Sequence, residues 1–287
     1  MVGTCNWSDH KHFYPRGMPT GDRLEYYSRF FPMVEVDTTF YGIAPPATAE
    51  KWVNATPAEF RFNVKAYRSL TLHEREEGRP RPPTAEEERA FMALLLPIRQ
   101  AGKLAAVHYQ FPPWFKASPA NMDVVSRLPE RHPDDQVIVE FRHSSWAEPA
   151  RFDAVTELLA ESGMTYCCVD EPQVGSATMP PHLAVTSPRL AVVRFHGHNR
   201  QKWYVKNARS STERFDYLYR EDTLAEWVPR LRALAAEAEQ VHALFNNNRS
   251  NYAVVNGLQL AGLLDLGLPD PSTVTAVVEP EQERLPL

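Results

Sequence analysis

Short apolar segments that close in polar or charged residues recur along this chain, and they restrict its fold more than any other feature. In a parallel sheet the strand interiors are buried on both faces, so burying polar residues there costs free energy. Their repeated occurrence at one end of the strands therefore indicates a site. We therefore expect a functional site at the carboxyl ends of these strands. An opening strand is predicted at Val2–Trp7, and the polar-ended ones are Val34–Phe40, Phe60–Tyr67, Leu104–Phe111, Val137–Ser144, Thr165–Glu171, Leu190–His198 and His242–Asn248.

Helical periodicity separates most of these strands. Thr84 and Glu87 form a capping-box pattern, and we expect the helix that follows to end at Gly102. The stretch Pro172–Arg189 has no helical period, so the connection between the sixth and seventh strands is expected to be irregular. The alternation predicts a single α/β domain over residues 1–287, a TIM-like (β/α)8 barrel with long loops at its C-terminal face. Its core would span about 2–268, with an irregular tail at 269–287.

An open, doubly wound sheet is the alternative fold. Such a sheet usually carries a glycine-rich phosphate-binding turn after its first strand, and this chain reads NWSDHKHFYP there.

Charge and cysteine content limit the partners. The formal net charge of −5 disfavours tight, sequence-independent binding of duplex DNA, which requires a phosphate-neutralising surface. Three cysteines, with Cys167 and Cys168 adjacent, form no disulfide framework and indicate a reducing cytoplasm. The first residues lack an apolar leader, and no run is long and apolar enough to span a membrane. We expect a cytoplasmic protein with no membrane partner.

Residues two apart on a strand share a face, so the polar pairs at the strand ends should face the barrel axis together. Their mixture of cations and carboxylates suits holding an anion and moving protons. The expected axial set is Glu35, Asp37, Asn63, Lys65, His108, Gln110, Glu140, Arg142, Cys168, Asp170, Arg194, His196, Asn246 and Asn248.

These residues lead to role assignments for an enzyme, of hydrolase or isomerase type, acting on a small anionic substrate, phosphorylated or sugar-like. The acid/base candidates are Glu140 and Asp170, with His196 as a proton shuttle and Lys65 beside them. Arg142 and Arg194 would bind the anionic group, since their planar forks match phosphate and carboxylate oxygens. The remaining substrate-contact candidates are Gln110, Asn246, Asn248, Glu35, Trp7, Tyr41, Trp146 and His73.

Two rival interpretations of the axial set stay open. The ions could neutralise one another, Glu140 with Arg142 and Asp170 with Arg194, and simply fill the barrel. Alternatively a divalent metal could bind, with His108, Glu140, Asp170 and His196 as ligands. Nearby cations would compete for these carboxylates, so no cofactor is predicted.

Several stretches resemble the YecE-like family, also called domain of unknown function 72. The resemblance runs from about Val2 to about Leu264 and implies a TIM-like barrel akin to the endonuclease IV and sugar isomerase superfamily, with no established reaction. The motifs are GTCNW, FYP, VEVDTTFY, FRFNVKAYR, QFPPWF, VEFRHSSW, RFHGHN, RFDYLY and FNNN. The implied motif positions are Trp7, Glu35, Tyr41, Lys65, Gln110, Pro112, Glu140, Arg142, Trp146, Asp170, Arg194, His196, Gly197, Asn246 and Asn247.

The chain also departs from the family pattern. His198 stands where the family usually has arginine, Leu72 separates Thr71 from His73, and His108 is not a position that the family pattern includes. The kinship, together with basic and aromatic loops after the third strand and over Lys202–Arg220, also allows a nuclease-like protein or one that binds single-stranded nucleic acid. A non-catalytic barrel scaffold is the third alternative.

Overall fold

The computed structural model describes residues 1–203 and 213–277, and within them eight parallel strands form a closed barrel. Each strand pairs with its neighbours in sequence, and the last strand closes the ring on the first through Thr4 and Phe245. The TIM-like barrel prediction is therefore confirmed. The strands are β1 (Val2–Cys5), β2 (Met33–Val36), β3 (Arg61–Lys65), β4 (Leu104–Gln110), β5 (Val137–Glu140), β6 (Thr165–Asp170), β7 (Leu190–Phe195) and β8 (Gln240–Phe245).

Helices follow most of the strands and cover the outside of the barrel. They are α1 (Arg23–Tyr27), α2 (Thr38–Tyr41), α3 (Pro46–Asn54), α4 (Ala85–Gln100), α5 (Pro119–Ser126), α6 (Leu128–Arg131), α7 (Pro149–Glu161), α8 (Glu221–Ala225), α9 (Trp227–Glu237) and α10 (Tyr252–Leu263). Residues 172–189 contain no helix, as predicted for the connection between β6 and β7. None of the helices in residues 1–203 and 213–277 has the length and apolar character of a membrane span.

The capping box at α4 forms as its sequence predicts. Thr84 Oγ1 accepts a hydrogen bond from the Glu87 amide at 3.2 Å, and Glu87 Oε2 accepts one from the Thr84 amide at 2.8 Å. The helix ends at Gln100, and Gly102 follows in the left-handed region with φ of 66°.

The barrel strands end earlier than the sequence pattern suggests. The prediction that the second strand continues to Phe40 is wrong, because α2 begins at Thr38. Thr39 Oγ1 lies within hydrogen-bond distance of two carbonyl oxygens, those of Val36, at 2.8 Å, and Lys65, at 2.6 Å, and its single O–H donates to one of them at a time. The Thr39 side chain thus continues the contact between β2 and β3 at the point where the backbone turns into α2. The consequence is that many polar residues lie in the first residues of loops, directly above the strand ends.

Phe141 and Phe195, two apolar residues at strand ends, pack on the outer side of the barrel. Phe141 stacks on Trp146 with ring centroids 4.1 Å apart, and Phe195 stacks on Phe245 at 4.6 Å. These aromatic stacks fill the layer between barrel and helices, and they leave the axis to the polar side chains. Of the predicted irregular tail, Pro271–Thr273 forms a short 3-10 turn, and residues 278–287 lie outside the described part.

Candidate functional site

Arg194 lies at the centre of the barrel and is fully buried. Its guanidinium donates to Glu140 Oε2 and to Glu35 Oε1, each at 2.6 Å. Burial alone would raise the pKa of Glu140, but Arg142 and Arg194 hold the pKa of that carboxyl well below its ordinary value. A buried guanidinium is costly to desolvate unless such partners surround it, so Arg194 and its carboxylates depend on one another.

His108 bridges the same carboxylates. Its Nδ1 lies 2.8 Å from Glu35 Oε2, and its Nε2 lies 3.2 Å from Glu140 Oε2. Burial lowers the pKa of His108, yet the coulombic effect of Glu35 and hydrogen bonds to both carboxylates outweigh it and raise the pKa. An imidazolium with both N–H groups facing carboxylates satisfies this geometry. His108 is therefore part of the buried ionic layer.

Gln110 joins this buried layer to the level above it. Its Oε1 accepts from Lys65 Nζ at 3.1 Å, from Arg142 at 3.2 Å and from Arg194 at 3.3 Å. Arg142 also donates to Glu171 Oε2 at 2.9 Å, and its Nε lies 2.5 Å from Glu140 Oε1. Three cationic groups thus converge on one amide oxygen, and guanidinium and ammonium N–H groups are the donors that bind anions.

Above these cations a cavity of about 770 Å³ opens at the carboxyl ends of the strands. A cavity at the opposite end of the barrel measures about 330 Å³. The upper position is where barrels of this kind keep their active sites, and the volume suits a small molecule. Of the predicted site residues, those that line it are Tyr41, Lys65, His73, Gln110, Arg142, Asn246 and Asn248.

Asp37 also lines the cavity, and it is the carboxyl best suited to proton transfer. Its Oδ1 lies 3.6 Å from Lys65 Nζ. Burial raises the pKa of Asp37 to about 6, and Glu35 adds to the shift while Lys65 and Arg194 oppose it. A carboxyl with a pKa near neutrality exchanges protons under physiological conditions. The sequence placed Asp37 in the polar set but assigned it no role.

The prediction that Asp170 faces the axis is wrong. Asp170 accepts a 2.6 Å hydrogen bond from the Tyr219 hydroxyl, and both of its carboxylate oxygens lie 2.9 Å from His198 Nε2. Cys167 instead points inward, with its Sγ 3.7 Å from Glu140 Oε2, so alternation carries Glu171 inward as well. Glu171 binds Arg142, and burial raises the pKa of Glu171 to about 7.

His196 is a positioning residue in this geometry. Its Nε2 lies 3.1 Å from the Arg142 guanidinium, and its Nδ1 lies 2.9 Å from the Asn246 amide. Burial, with Arg142 adding to it, holds the pKa of His196 well below its ordinary value. A neutral imidazole has one acceptor nitrogen, so His196 accepts either from the Arg142 guanidinium at Nε2 or from the Asn246 side-chain nitrogen at Nδ1. His196 thus sets the orientation of Arg142 and Asn246, both of which line the cavity.

The aromatic candidates divide between cavity and core. Tyr41 is 66% exposed, and His73 is held by Thr71 Oγ1 at 2.8 Å. Burial, with Lys65 and Arg142 adding to it, lowers the pKa of His73 to about 3, so this side chain is neutral. Trp146 is fully buried and donates to the Phe115 carbonyl at 2.6 Å, while Trp7 packs against Trp52. The prediction of substrate contacts for Trp7 and Trp146 is therefore wrong.

The conditional metal ligands are only partly together. His108, Glu140 and His196 converge, whereas Asp170 lies elsewhere, paired with His198. The guanidiniums of Arg142 and Arg194 already lie within 2.6 Å of the Glu140 oxygens. A divalent cation here would have to displace a guanidinium, so the donor set fits a metal poorly.

Only one of the two ion pairs of the self-neutralising interpretation forms. Glu140 pairs with Arg142 as the self-neutralising interpretation supposed, but Arg194 pairs with Glu35 and Glu140 rather than with Asp170. Part of the basic and aromatic loop at Lys202–Arg220 falls in residues 204–212, outside the described part. Sequence reasoning assigned no substrate contact to Asn6 or Asp9, which also line the cavity.

Comparison with known proteins gives concordant matches over nearly the whole chain. A model of the family described as "Protein of unknown function DUF72" matches residues 1–280. The UPF0759 protein YunF of Bacillus subtilis (strain 168) is 36% identical over 269 residues, which cover 92% of this chain and 94% of that protein.

Solved structures of the same family share the barrel. A DUF72 family protein of Enterococcus faecalis V583 matches with a TM-score of 0.84 and 29% identity, covering 93% of this chain and 96% of that one. A DUF72 family protein of Thermotoga maritima MSB8 matches with a TM-score of 0.79 and 30% identity, covering 92% of this chain and 98% of that one.

Proposed function

The chain belongs to the DUF72 family of proteins of unknown function, and we propose that this protein is an enzyme that performs acid–base chemistry on a small anionic substrate. The observation that carries the proposal is the position of Asp37. Its carboxyl, with a pKa raised to about 6, lines the cavity 3.6 Å from the Lys65 ammonium. Acid–base catalysis on an anionic substrate requires a group that transfers the proton and a cation that binds the negative charge, and Asp37 and Lys65 supply these.

The roles divide between the cavity lining and the layer beneath it. Lys65 and Arg142 bind the anionic group, and Asp37 is the general acid or base. Arg194 is fully buried between Glu35 and Glu140 and does not line the cavity. Its charge contributes to the electrostatic potential at the base of the cavity. Preorganised charges of this kind do not have to reorient when charge develops on the substrate.

Arg142 is held in place from several sides. It contacts Glu140, Glu171 and His196, and its side chain is 8% exposed. A guanidinium anchored in this way loses little rotational freedom when it binds an anion, because its conformation is already fixed. The site thus offers a rigid anion-binding group beside a protonatable one.

The test uses phosphorylated sugars as candidate substrates in deuterated water. An isomerase-type reaction incorporates solvent deuterium at carbon, whereas a hydrolase-type reaction releases phosphate, and both are followed by NMR. We expect Asp37→Asn to lower the rate about 100-fold or more, as removal of a general acid–base group does. Asp123→Asn, which alters a carboxylate of an exposed surface pair with Arg127, is the matched control and should behave like the unaltered protein.

Anion binding is measured separately with sulfate by calorimetry. Lys65→Met should weaken sulfate binding about tenfold or more, since it removes one of the converging cations. If Asp37→Asn reacts as fast as the unaltered protein, Asp37 is not the proton-transfer group. If the unaltered protein binds no sulfate and acts on none of the sugars, the proposed function is wrong.

A further inference from the structure

The loop after β1 brings Asn6 and Asp9 to the cavity lining, beside Asn248, which follows β8. Asn6, Asp9 and Asn248 all line the cavity. Asp9 accepts from the Asn6 amide nitrogen at 3.1 Å and from the Asn248 amide nitrogen at 3.3 Å. The carboxylate therefore aligns two amides from opposite ends of the sequence.

Both amides are satisfied only at their nitrogens. Asn6 is 3% exposed and Asn248 is 9% exposed, and their Oδ1 atoms receive no donor from residues 1–203 and 213–277. A buried acceptor without a donor costs about 1–3 kcal/mol, so such atoms are seldom left alone without a reason. A ligand O–H group would supply the donor that each of these two oxygens lacks.

Asn6 is held in place at some conformational cost. Its φ of 63° lies in the left-handed region, which asparagine tolerates better than most residues. The backbone N–H of Asn6 donates to the Glu35 carbonyl at 2.7 Å, and the backbone carbonyl of Asn6 accepts from Thr4 Oγ1 at 2.8 Å. His10 Nε2 lies 3.1 Å from that same carbonyl. The turn is thus fixed from below, with the side chain on the cavity wall.

The other parts of the lining have different chemistry. Lys65 and Arg142 provide positive charge, and Trp114 and Tyr41 are exposed by 44% and 66%. Aromatic faces pack well against the C–H faces of sugar rings. A bare inorganic anion would satisfy the cations alone and leave the acceptors and aromatic faces unused. A monosaccharide carrying a phosphate would use all of them, and about 770 Å³ is ample space for it.

We infer that Asn6, Asp9 and Asn248 form a hydroxyl-binding subsite and that the ligand of this cavity is a phosphorylated monosaccharide. The phosphate half of the inference rests on the anion site of the proposed function. The hydroxyl half stands on the unpaired amide oxygens. The two halves are separated by choosing ligands that carry one feature without the other.

The experiment measures binding of inorganic phosphate, ribose, and ribose 5-phosphate to the full chain by calorimetry. The variants are Asn6→Gly, which keeps the left-handed backbone accessible, and Asn248→Ala. Asn54→Gly, at the exposed end of α3, is the matched control. We expect ribose 5-phosphate to bind at least about tenfold more tightly than phosphate, with each subsite variant losing about fivefold for the sugar phosphate and nothing for phosphate.

Each outcome decides one half of the inference. If ribose 5-phosphate binds no tighter than phosphate, or if the Asn variants weaken both ligands equally, the hydroxyl subsite is wrong while the anion site stands. If ribose binds and is lost in Asn6→Gly while phosphate fails to bind, the subsite stands and the anion site is wrong. If none of the ligands binds the unaltered protein, both are wrong.

Discussion

Arg194 on β7 and Glu140 on β5 meet inside the barrel at 2.6 Å, and neither side chain has any exposed surface. The strand between them, β6, contributes Cys167 to the same interior level rather than a charged group. Arg194 also reaches Glu35 on β2, so a single guanidinium connects non-adjacent strands across the axis. The buried ionic layer is therefore a structural floor for the cavity above it.

This relationship predicts a large loss of stability when Arg194 is replaced by methionine. The substitution leaves Glu35 and Glu140 buried without their main cation, and breaking such a pair costs about 3–5 kcal/mol. The measurement is the free energy of unfolding in urea. Arg127→Met, which removes a cation from an exposed pair with Asp123, is the control and should cost less than about 1 kcal/mol. Equal losses in the two variants would show that the buried pairs add no stability of their own.

The strand count, the barrel and eight of the cavity-lining residues, Lys65, Gln110 and Arg142 among them, follow from the sequence, largely through the alternation of side chains along each strand. Asp170 shows where it fails. Two adjacent carboxyls stand here, Asp170 as the last residue of β6 and Glu171 directly after it, and the local pattern does not say which of them faces the axis. Tyr219, far along the chain, supplies the partner that makes an outward Asp170 favourable. A tertiary contact of that kind has no signature near residue 170.

The role of Asp37 could not be predicted from the sequence, for a different reason. Its proton-transfer suitability comes from burial and from the neighbouring Glu35 carboxylate, and both depend on how the strands pack. A sequence shows that a carboxyl is present but gives no measure of its desolvation. The position was within the predicted polar set, whereas its role required the structure.

Anion binding should strengthen as pH falls. Asp37 and Glu171 have pKa values raised to about 6 and about 7, and protonation removes negative charge close to Lys65 and Arg142. Between about pH 8 and pH 5 both carboxyls go from ionised to neutral, so the positive potential of the cavity increases. We expect sulfate affinity, measured by calorimetry, to rise about tenfold or more over this range. Sulfate is chosen because its own charge is constant there.

Two variants identify the groups responsible for that pH dependence. Asp37→Asn should bind sulfate more tightly than the unaltered protein at high pH and should show a shallower pH profile. Asp170→Asn should keep the full profile, since its carboxylate is held by His198 and Tyr219 rather than by the cavity cations. A flat profile in the unaltered protein, or an unchanged one in Asp37→Asn, would contradict the assignment of Asp37.

The capping box of α4 should contribute measurably to stability. Thr84→Ala removes the side-chain acceptor for the Glu87 amide, and loss of such a cap costs about 1 kcal/mol. Urea denaturation monitored by circular dichroism measures the effect. Thr156→Ala, inside α7, is the matched control and should be neutral or slightly stabilising, because alanine has the higher helix propensity. Similar losses at both positions would mean that the cap itself contributes nothing.

Gly197 should tolerate no side chain, and the reason links it to the cavity. Its φ is 83°, and a Cβ built on it would lie 2.6 Å from Tyr217 Cβ. Gly17 has a similar φ of 80° with nothing within 4 Å of a built Cβ, so Gly17→Ala isolates the backbone strain. We expect Gly17→Ala to cost about 1 kcal/mol in urea unfolding and Gly197→Ala to cost a further 1–3 kcal/mol or so from the clash.

The same substitution should also disturb binding. Gly197 directly follows His196, which orients Arg142, and Tyr217 lies two residues from Phe215 on the cavity lining. If the clash moves the chain at Tyr217, Gly197→Ala should weaken sulfate or sugar phosphate binding while Gly17→Ala leaves it unchanged. Equal stability and equal affinity in the two variants would show that the close approach to Tyr217 is relieved at no cost to the site.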